Sequence, residues 1–351
     1  MLHSALARAG WAIVAIALLA GCSEEPGNPV SNNFPPVLPP GGGGDVALLE
    51  DFSNAQVLPA NNWWNLQVTN APVDPNSQAI INWISGRTAD NPDRRQRLHP
   101  DMAAPPWGIP YIGVSGDEPL TRVTFTSYAS ESDAGAPGGP EGYPIPAAAR
   151  THANFIENAV AGGNTSGDRH MLIVDRDNWI LYELAKARWT GSHWEASCGA
   201  VFDLKVNGRR PEGWTSTDAA GLAIFPGLVR RDEVVAPGPI MHALRVATKA
   251  TNGYVWPASH EAGDTPGAPP LGARLRLKAS KDLSGYPADV RKIFQAMKTY
   301  GLIIADNGGN MYVTGTMDPA WDNGVLDPAF HSLYADDFEV IKLGYGATMS
   351  P

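Results

Sequence analysis

The sequence predicts a mainly β fold, a single large β-sandwich or open barrel with long loops and one prominent helix near residues 288–300. Short apolar or alternating runs typical of strands recur along the chain between turn residues. The 351 residues include 37 glycines and 31 prolines, and long loops are predicted at 129–168 and 207–239. No internal repeat recurs at a fixed period, which argues against a propeller or a solenoid.

Three strand patterns follow one another closely in the middle of the chain, at 170–175, 179–187 and 194–204. Short turns separate them, Arg176-Asp177-Asn178 and Thr190-Gly191-Ser192, so together they predict an antiparallel meander. Further strands are predicted at 111–114, 121–128, 240–248, 254–256, 273–279, 302–305, 311–314 and 338–343.

The prominent helix is predicted over 288–300. Its apolar residues, among them Ile293 and Met297, recur at helical spacing, and Gly301 follows at the position where a glycine commonly ends a helix. A shorter helix is predicted over 77–84 from the spacing of its isoleucines.

Residues 1–22 have the pattern of a bacterial lipoprotein signal peptide. Arg8 precedes the apolar run 11–20, which is shorter than the roughly 20 residues needed to span a bilayer. The run ends at Leu19-Ala20-Gly21-Cys22, which resembles a lipobox, the site where a cysteine receives lipid and the chain is cleaved before it. The alternative is an ordinary secretory signal in which Cys22 is incidental.

The predicted mature chain has two parts. Segment 23–45 is rich in proline and glycine and predicts a flexible tether, whereas 46–351 predicts one β-rich globular domain. Ser23 follows Cys22, and no aspartate stands there as an inner-membrane retention signal. The predicted location is therefore the cell envelope, reached through the lipid on Cys22, and the outer membrane if the organism has two membranes.

Charge and cysteine content exclude some classes of function. The net charge of −10 disfavours nucleic acid as a partner, because an acidic chain gains no attraction to phosphates. With Cys22 lipidated, Cys198 is the remaining cysteine, so neither an intramolecular disulfide nor a cysteine-based zinc site can form. Cys198 is predicted to be a small buried side chain rather than a nucleophile.

Several sequence blocks resemble motifs of a largely uncharacterised family of secreted bacterial proteins. The likeness covers most of residues 60–343 and implies one domain of a shared type, without implying a reaction. The blocks are Asp168-Arg169-His170-Met171-Leu172-Ile173-Val174-Asp175, Leu181-Tyr182-Glu183-Leu184, Gly213-Trp214-Thr215-Ser216-Thr217-Asp218-Ala219-Ala220-Gly221-Leu222, His242-Ala243-Leu244-Arg245 and Tyr300-Gly301-Leu302-Ile303-Ile304-Ala305-Asp306-Asn307-Gly308.

Two carboxylates are the leading catalytic candidates, since common serine-hydrolase, zinc-protease and phosphate-loop motifs are missing from the sequence. Glu183 lies within a predicted strand, where burial would raise its pKa and suit it to act as a general acid. Asp218 lies in a loop of small residues, where sites are often built, although it could simply cap a turn. Such a pair is typical of glycoside hydrolases.

Histidine, arginine and tryptophan side chains complete the predicted site. His242 is a third catalytic candidate, because it or Tyr254 could act as the base of a polysaccharide lyase while Arg245 neutralises charge. Core packing and structural hydrogen bonding are the alternatives for such residues. The predicted substrate-binding residues are Asp168, His170, Trp214, Arg245, Trp256 and His260.

The sequence thus favours a carbohydrate-active enzyme, most simply a glycoside hydrolase acting on a polysaccharide or oligosaccharide. The alternatives are a non-catalytic surface lipoprotein that binds glycans or proteins, and a polysaccharide lyase. No cofactor and no catalytic metal are predicted. Asp318 with Asp322 and Asp336-Asp337 could hold structural calcium, although a solvated acidic loop is the favoured explanation because no EF-hand-like spacing is present.

Overall fold

The computed structural model describes residues 46–159, 161–163 and 166–347. The predicted signal peptide, Cys22 and the tether lie outside the described residues. Within the described part of the chain, no helix has the length and apolarity required to cross a membrane.

Strands make up 24% of the structure and helices 18%, which confirms the predicted mainly β class. The strands are β1 (Ala47–Leu48), β2 (His99–Asp101), β3 (Tyr111–Val114), β4 (Val123–Phe125), β5 (Met171–Asp175), β6 (Ile180–Ala185), β7 (Arg188–Trp189), β8 (Trp194–Ala196), β9 (Cys198–Asp203), β10 (Leu244–Thr248), β11 (Arg274–Leu277), β12 (Leu302–Asn307), β13 (Tyr312–Thr314) and β14 (Phe338–Val340). The α-helices are α1 (Ser77–Ile84), α2 (Arg231–Val235), α3 (Ala288–Thr299) and α4 (Asn323–His331).

These strands form three sheets of mixed direction. The first has the order β1-β3-β5-β6-β9, the second β14-β11-β12-β10-β13-β2, and a small third sheet β4-β8-β7. Across the described residues the sheets do not close into a barrel, and the fold is sandwich-like, as one of the two predicted architectures requires. The largest core cluster contains side chains from both large sheets, among them Leu172 and Leu181 of the first and Val246 and Ile304 of the second.

The predicted meander is present, with one difference. Strands β5, β6 and β9 pair antiparallel, as expected. The third predicted strand is divided, because β8 leaves to pair with β4 and β7 in the small sheet. The break falls at Ser197, whose backbone N–H and hydroxyl both donate to the carbonyl of Ala185.

Helix α3 forms where the apolar spacing predicts it, and its buried face, including Ile293 and Met297, joins the main core. Two strand predictions need correction. Residues 254–256 form only an isolated bridge from Tyr254 to Leu271, and the strand predicted over 240–248 begins at Leu244. The later start has a local reason, since the N–H of Ala243 donates to the carbonyl of Trp64 outside the sheet.

Candidate functional site

A cluster of charged side chains links the two large sheets. The five-stranded sheet and the segment that precedes β5 supply Glu157, His170 and Glu183. The six-stranded sheet supplies Asp101, Arg245 and Asp306. Between them lies the loop 215–222, which contacts both. The members of this polar cluster are Asp101, Glu157, His170, Glu183, Asp218, Arg245 and Asp306.

One cross-strand row of the six-stranded sheet carries Asp101, Thr314 and Arg245 on the same face. Asp101 pairs with Thr314 across parallel strands β2 and β13, and Arg245 Nη1 donates to Thr314 Oγ1 at 2.7 Å. Because residues paired across a sheet share a face, these three side chains form a polar line across three neighbouring strands.

The next row on that face carries His99, Tyr312, Ala247 and Asp306, each paired with its neighbour in the order given. Asp306 reaches this face through a β-bulge. Ile304 pairs with Val246 but Asp306 pairs with Ala247, which leaves one extra residue between them. If Ala305 paired with Ala247 in a regular ladder, the alternation of the strand would turn Asp306 to the opposite face. Bulges commonly re-aim side chains beside functional sites.

Asp218 and Arg245 form a buried ion pair at the centre of the cluster. Arg245 Nη2 donates to Asp218 Oδ1 at 2.8 Å and Nε to Oδ2 at 3.1 Å, in the forked geometry that strengthens such pairs. Asp218 is 1% exposed and Arg245 4% exposed. Burial alone would lower the pKa of Arg245, but the Asp218 carboxylate outweighs it and raises that pKa.

Glu183 is fully buried and holds the 215–222 loop and the turn after it. Its Oε2 accepts from Thr217 Oγ1 at 2.7 Å, and its Oε1 accepts from the backbone N–H groups of Ile224 and Phe225 at 2.9 and 3.0 Å. Burial raises the pKa of Glu183 to about 7, against the lowering effect of these hydrogen bonds. Both oxygens therefore face protein donors in a site closed to solvent.

His170 and Glu157 form a second ion pair at the edge of the cluster. The His170 Nδ1 and Glu157 Oε2 atoms lie 2.7 Å apart, and His170 Nε2 lies 3.1 Å from the carbonyl oxygen of Thr217. Burial lowers the pKa of His170, but Glu157 opposes this effect and the resulting pKa is about 9. At neutral pH the pair is therefore a protonated imidazole beside a carboxylate.

Two further carboxyls of the cluster reach solvent in part. The side chain of Asp306 is 30% exposed, and Asp101 is half-buried. Burial and the Asp218 charge raise the pKa of Asp306 to about 7, although Arg245 Nη2 lies 3.5 Å from its Oδ2. Burial also raises the pKa of Asp101, whose Oδ1 accepts from the N–H of Gly108 at 3.3 Å.

The other predicted binding residues lie around the cluster or apart from it. His260 contacts the 215–222 loop, with Nδ1 2.9 Å from the carbonyl oxygen of Ala219. Asp168 is exposed and interacts electrostatically with His170. Trp214 lies near Arg210, with 5.4 Å between its ring and the guanidinium. Trp256 packs on Trp63 at the core, so core packing accounts for it.

His242 belongs to a different site. Its Nε2 lies 2.9 Å from Glu233 Oε1, and Arg230 donates to the same carboxylate at 3.0 Å. These residues line a small cavity beside helix α2. Tyr254, the other base considered for elimination, donates to the surface carboxylate of Glu212. The structure thus brings neither residue into contact with Glu183 or Asp218.

Cys198 is buried, and its Sγ lies 3.1 Å from the carbonyl oxygen of Ser216. Burial raises the pKa of its thiol, which fits the prediction of a buried side chain.

Three of the four aspartates considered for calcium have side-chain contacts with other protein groups. Asp336 pairs with Arg87 and Arg95, and Asp337 pairs with Lys281. Asp318 accepts from the N–H of Ala320, and Asp322 precedes helix α4. Among the described residues no group of three or more histidine, cysteine or acidic side chains is arranged to hold a metal ion.

Sequence reasoning identified four members of the cluster, and missed Asp101, Glu157 and Asp306. Asp306 lies in one of the quoted sequence blocks, directly before Asn307-Gly308. Its position near the end of a strand could have marked it as a candidate site residue. Glu157 lies in the predicted loop 129–168, and Asp101 lies where neither a helix nor a strand is predicted, so no periodicity in the sequence marks them.

Comparison of the chain with protein-family models, curated protein sequences and solved structures finds no significant match. The resemblance of the sequence blocks to a secreted bacterial family stays a prediction. Function must therefore be inferred from the geometry of the polar cluster.

Proposed function

We propose that this protein is an extracytoplasmic glycoside hydrolase that cleaves a polysaccharide or oligosaccharide with paired carboxyl groups. The observation that carries the proposal is the pair of partly exposed carboxyls, Asp306 and Asp101, on one face of the six-stranded sheet. Asp306 lies on β12 and Asp101 on β2, with β10 and β13 between these two strands. Arg245 of β10 and Thr314 of β13 therefore lie between the two carboxyls. Glycosidases need one carboxyl to donate a proton and another to act as base or nucleophile.

Asp306 is the proposed general acid. Its pKa of about 7 keeps a large share of the carboxyl protonated near neutral pH, and its side chain reaches solvent. In the reaction Asp306 gives its proton to the glycosidic oxygen as the bond from that oxygen to the sugar carbon breaks. The leaving sugar departs as an alcohol, and Asp306 becomes a carboxylate.

Asp101 is the proposed base, which removes a proton from the attacking water. Strands β2 and β12 are separated by β13 and β10, so at the usual strand spacing their backbones lie about 14 Å apart. This separation is far wider than the roughly 5 Å between the carboxyls of retaining enzymes, so it argues against Asp101 as a nucleophile. Inversion, in which a water molecule lies between the base and the sugar, requires the two side chains to extend toward each other to roughly 6.5 to 9.5 Å.

Glu183 and Asp218, the pair favoured by the sequence, have a positioning role in this proposal. Both are buried, and their oxygens accept hydrogen bonds from Thr217, two backbone N–H groups and Arg245. Asp218 fixes Arg245, and its charge raises the pKa of Asp306. Glu183 fixes the loop that carries Asp218.

The charge of the cluster favours a neutral sugar over a uronate. Five carboxyls, those of Asp101, Glu157, Glu183, Asp218 and Asp306, surround two cations, His170 and Arg245. Since Arg245 is already paired with Asp218, little positive charge is left to neutralise the carboxylate of a uronic acid, as a lyase requires. Elimination is thus the weaker alternative.

The test is release of reducing sugar by the full chain from a panel of neutral polysaccharides such as xylan, mannan, starch and β-glucan. Asp306→Asn and Asp101→Asn should each lower the rate by about 100-fold or more, while Asp93→Asn at an exposed loop position should not. The wild-type rate should fall as the pH rises above about 7, because the acid must be protonated.

Full activity in Asp306→Asn would refute the assignment. No reducing sugar from the neutral polysaccharides, together with a rise in ultraviolet absorbance on pectin or alginate, would indicate a lyase. Binding to a polysaccharide without either product would indicate a surface binding protein.

We further propose that Cys22 carries lipid and anchors the protein in the cell envelope. The lipobox pattern supports this assignment. Radiolabelled palmitate should be incorporated into the wild type and not into Cys22→Ala, and equal labelling of both would contradict the proposal.

A further inference from the structure

An open cavity of about 290 Å³ lies beside the polar cluster, at the end of strands β2 and β13. Its wall includes the rings of His99 and Tyr312, which stack with centroids 4.6 Å apart and planes 11° apart. Trp107 lines the same cavity and is 56% exposed, unusually high for a large aromatic side chain. The cavity therefore offers both a rigid aromatic wall and a free indole face.

The cavity lies at the β2 edge of the six-stranded sheet, and its wall of His99 and Tyr312 is on the face that carries the proposed catalytic carboxyls. His99 precedes Asp101 by two residues on β2, and Tyr312 precedes Thr314 by two residues on β13. Residues two apart on a strand share a face and lie about 7 Å apart, which is comparable to the length of one sugar ring. Ala247 lies between Tyr312 and Asp306 in the same row. Because its side chain is small, it leaves space above the sheet between these two residues.

A short turn ties Trp107 directly to Asp101. Gly108 follows the tryptophan and donates its N–H to Asp101 Oδ1 at 3.3 Å. Gly108 has φ +81°, and a Cβ at this position would lie 2.7 Å from the carbonyl oxygen of Gly315, so only glycine fits. The turn thus fixes the indole and the proposed base relative to each other.

Polar groups in the cavity suit hydroxyl ligands without fixed charge. His99 Nδ1 and His331 Nε2 lie 3.0 Å apart, and burial together with the His331 and Arg97 charges lowers the pKa of His99. Asp327 also lines the cavity, as does Asn323, whose Oδ1 has no hydrogen-bond partner in the described structure. With its pKa lowered, His99 carries little positive charge near neutral pH, and beside the Asp327 carboxylate it favours a neutral ligand over an anion.

We infer that this cavity is a binding subsite for a neutral pyranose ring of the same glycan chain, adjacent to the bond that is cleaved. Trp107 provides the stacking face, and Asp327 and the Asn323 amide provide hydrogen bonds to ring hydroxyls. Flat aromatic faces suit the apolar face of a sugar ring because stacking removes both from water. This inference rests on the proposed hydrolase function and deepens it.

The experiment separates binding from cleavage. Binding of neutral hexasaccharides of xylose, mannose, glucose in α-1,4 linkage and glucose in β-1,4 linkage is measured by calorimetry on the full chain carrying Asp306→Asn. The same measurement is made with Trp107→Ala added, and with Tyr128→Ala added as a control, since Tyr128 is 45% exposed on another part of the surface. Steady-state kinetics on the single Trp107→Ala and Tyr128→Ala variants follow for any hexasaccharide that is hydrolysed.

We expect Trp107→Ala to weaken hexasaccharide binding about tenfold or more and to raise KM by a similar factor with little change in kcat. Tyr128→Ala should change neither. Hydrolysis with the same KM and the same affinity in Trp107→Ala as in the wild type would overturn the subsite while leaving the hydrolase proposal standing. Tight binding that depends on Trp107 without hydrolysis by the wild type would overturn the hydrolase proposal alone. Neither binding nor hydrolysis of any hexasaccharide would overturn both.

Discussion

Replacing Glu183 by glutamine should change how the stability of the protein depends on pH. In the folded protein the carboxyl is fully buried and its pKa is about 7, against an ordinary value of 4.5. A folded-state pKa above the unfolded value means that the carboxyl stays protonated to a higher pH in the folded chain than in the unfolded chain. The protonated carboxyl therefore contributes stability that is complete below pH 4.5 and is lost as the pH rises through about 7.

The expected size follows from these two pKa values. They differ by 2.5 (7 − 4.5), and each pH unit corresponds to about 1.4 kcal/mol, which gives about 3 kcal/mol. Between pH 4.5 and pH 7 the free energy of unfolding should decrease more in the wild type than in Glu183→Gln. The difference between the two decreases should be about 3 kcal/mol. The substituted amide keeps an oxygen for the N–H groups of Ile224 and Phe225 and stays neutral throughout.

The measurement is urea unfolding at a series of pH values across this range, followed by circular dichroism. Glu141→Gln serves as a matched control, because the Glu141 side chain is 57% exposed and its removal should leave the pH dependence unchanged. Parallel pH profiles for the wild type and Glu183→Gln would refute the reasoning, since a buried carboxyl with a raised pKa cannot be removed without flattening the profile.

Two further predictions concern stability. The pKa of His170 rises from 6.5 to about 9 beside Glu157, so its charge stabilises the fold below pH 6.5 and that contribution is lost as the pH rises to about 9. Unfolding experiments should show this alkaline decline in the wild type and not in His170→Gln, and a decline retained in the variant would argue against the ion pair. Gly221→Ala should lower the free energy of unfolding by about 2 kcal/mol or more, because Gly221 has φ +72° and a Cβ there would lie 2.0 Å from Ser259 Oγ. Unchanged urea midpoints for Gly221→Ala would show that the loop can relax.

Sequence patterns predict the helix and the antiparallel meander, because both depend on residues that are close together in the chain. Helix α3 forms where the spacing of Ile293 and Met297 and the following Gly301 place it. The meander of β5, β6 and β9 follows from short turns between continuous apolar runs. The division at Ser197 was not predictable, because it depends on pairing with β4, a strand about 70 residues earlier in the chain.

The sequence predicted which residues would belong to the candidate site better than it predicted the role of each residue. Glu183, Asp218, His170 and Arg245 were all selected from the sequence, and the fold brings them into one cluster. Burial of Glu183 was considered from its place in an apolar strand, but the burial of Asp218 was not visible in the sequence, because it depends on how the 215–222 loop lies between the two sheets. Asp306 was missed for a related reason, since only the register of β12 against β10 shows which face it occupies.

The bulge in β12 constrains which insertions and deletions this strand can accept during evolution. The extra residue is Ala305, and its carbonyl accepts from the N–H of Ala220, which belongs to the 215–222 loop. Loss of Ala305 would leave a regular strand with Asp306 still opposite Ala247, but it would remove the backbone group that holds the loop carrying Asp218. Gain of one residue would instead reverse the facing of Asp306. Homologous chains that keep this site should therefore keep the length of this segment even where its residues change.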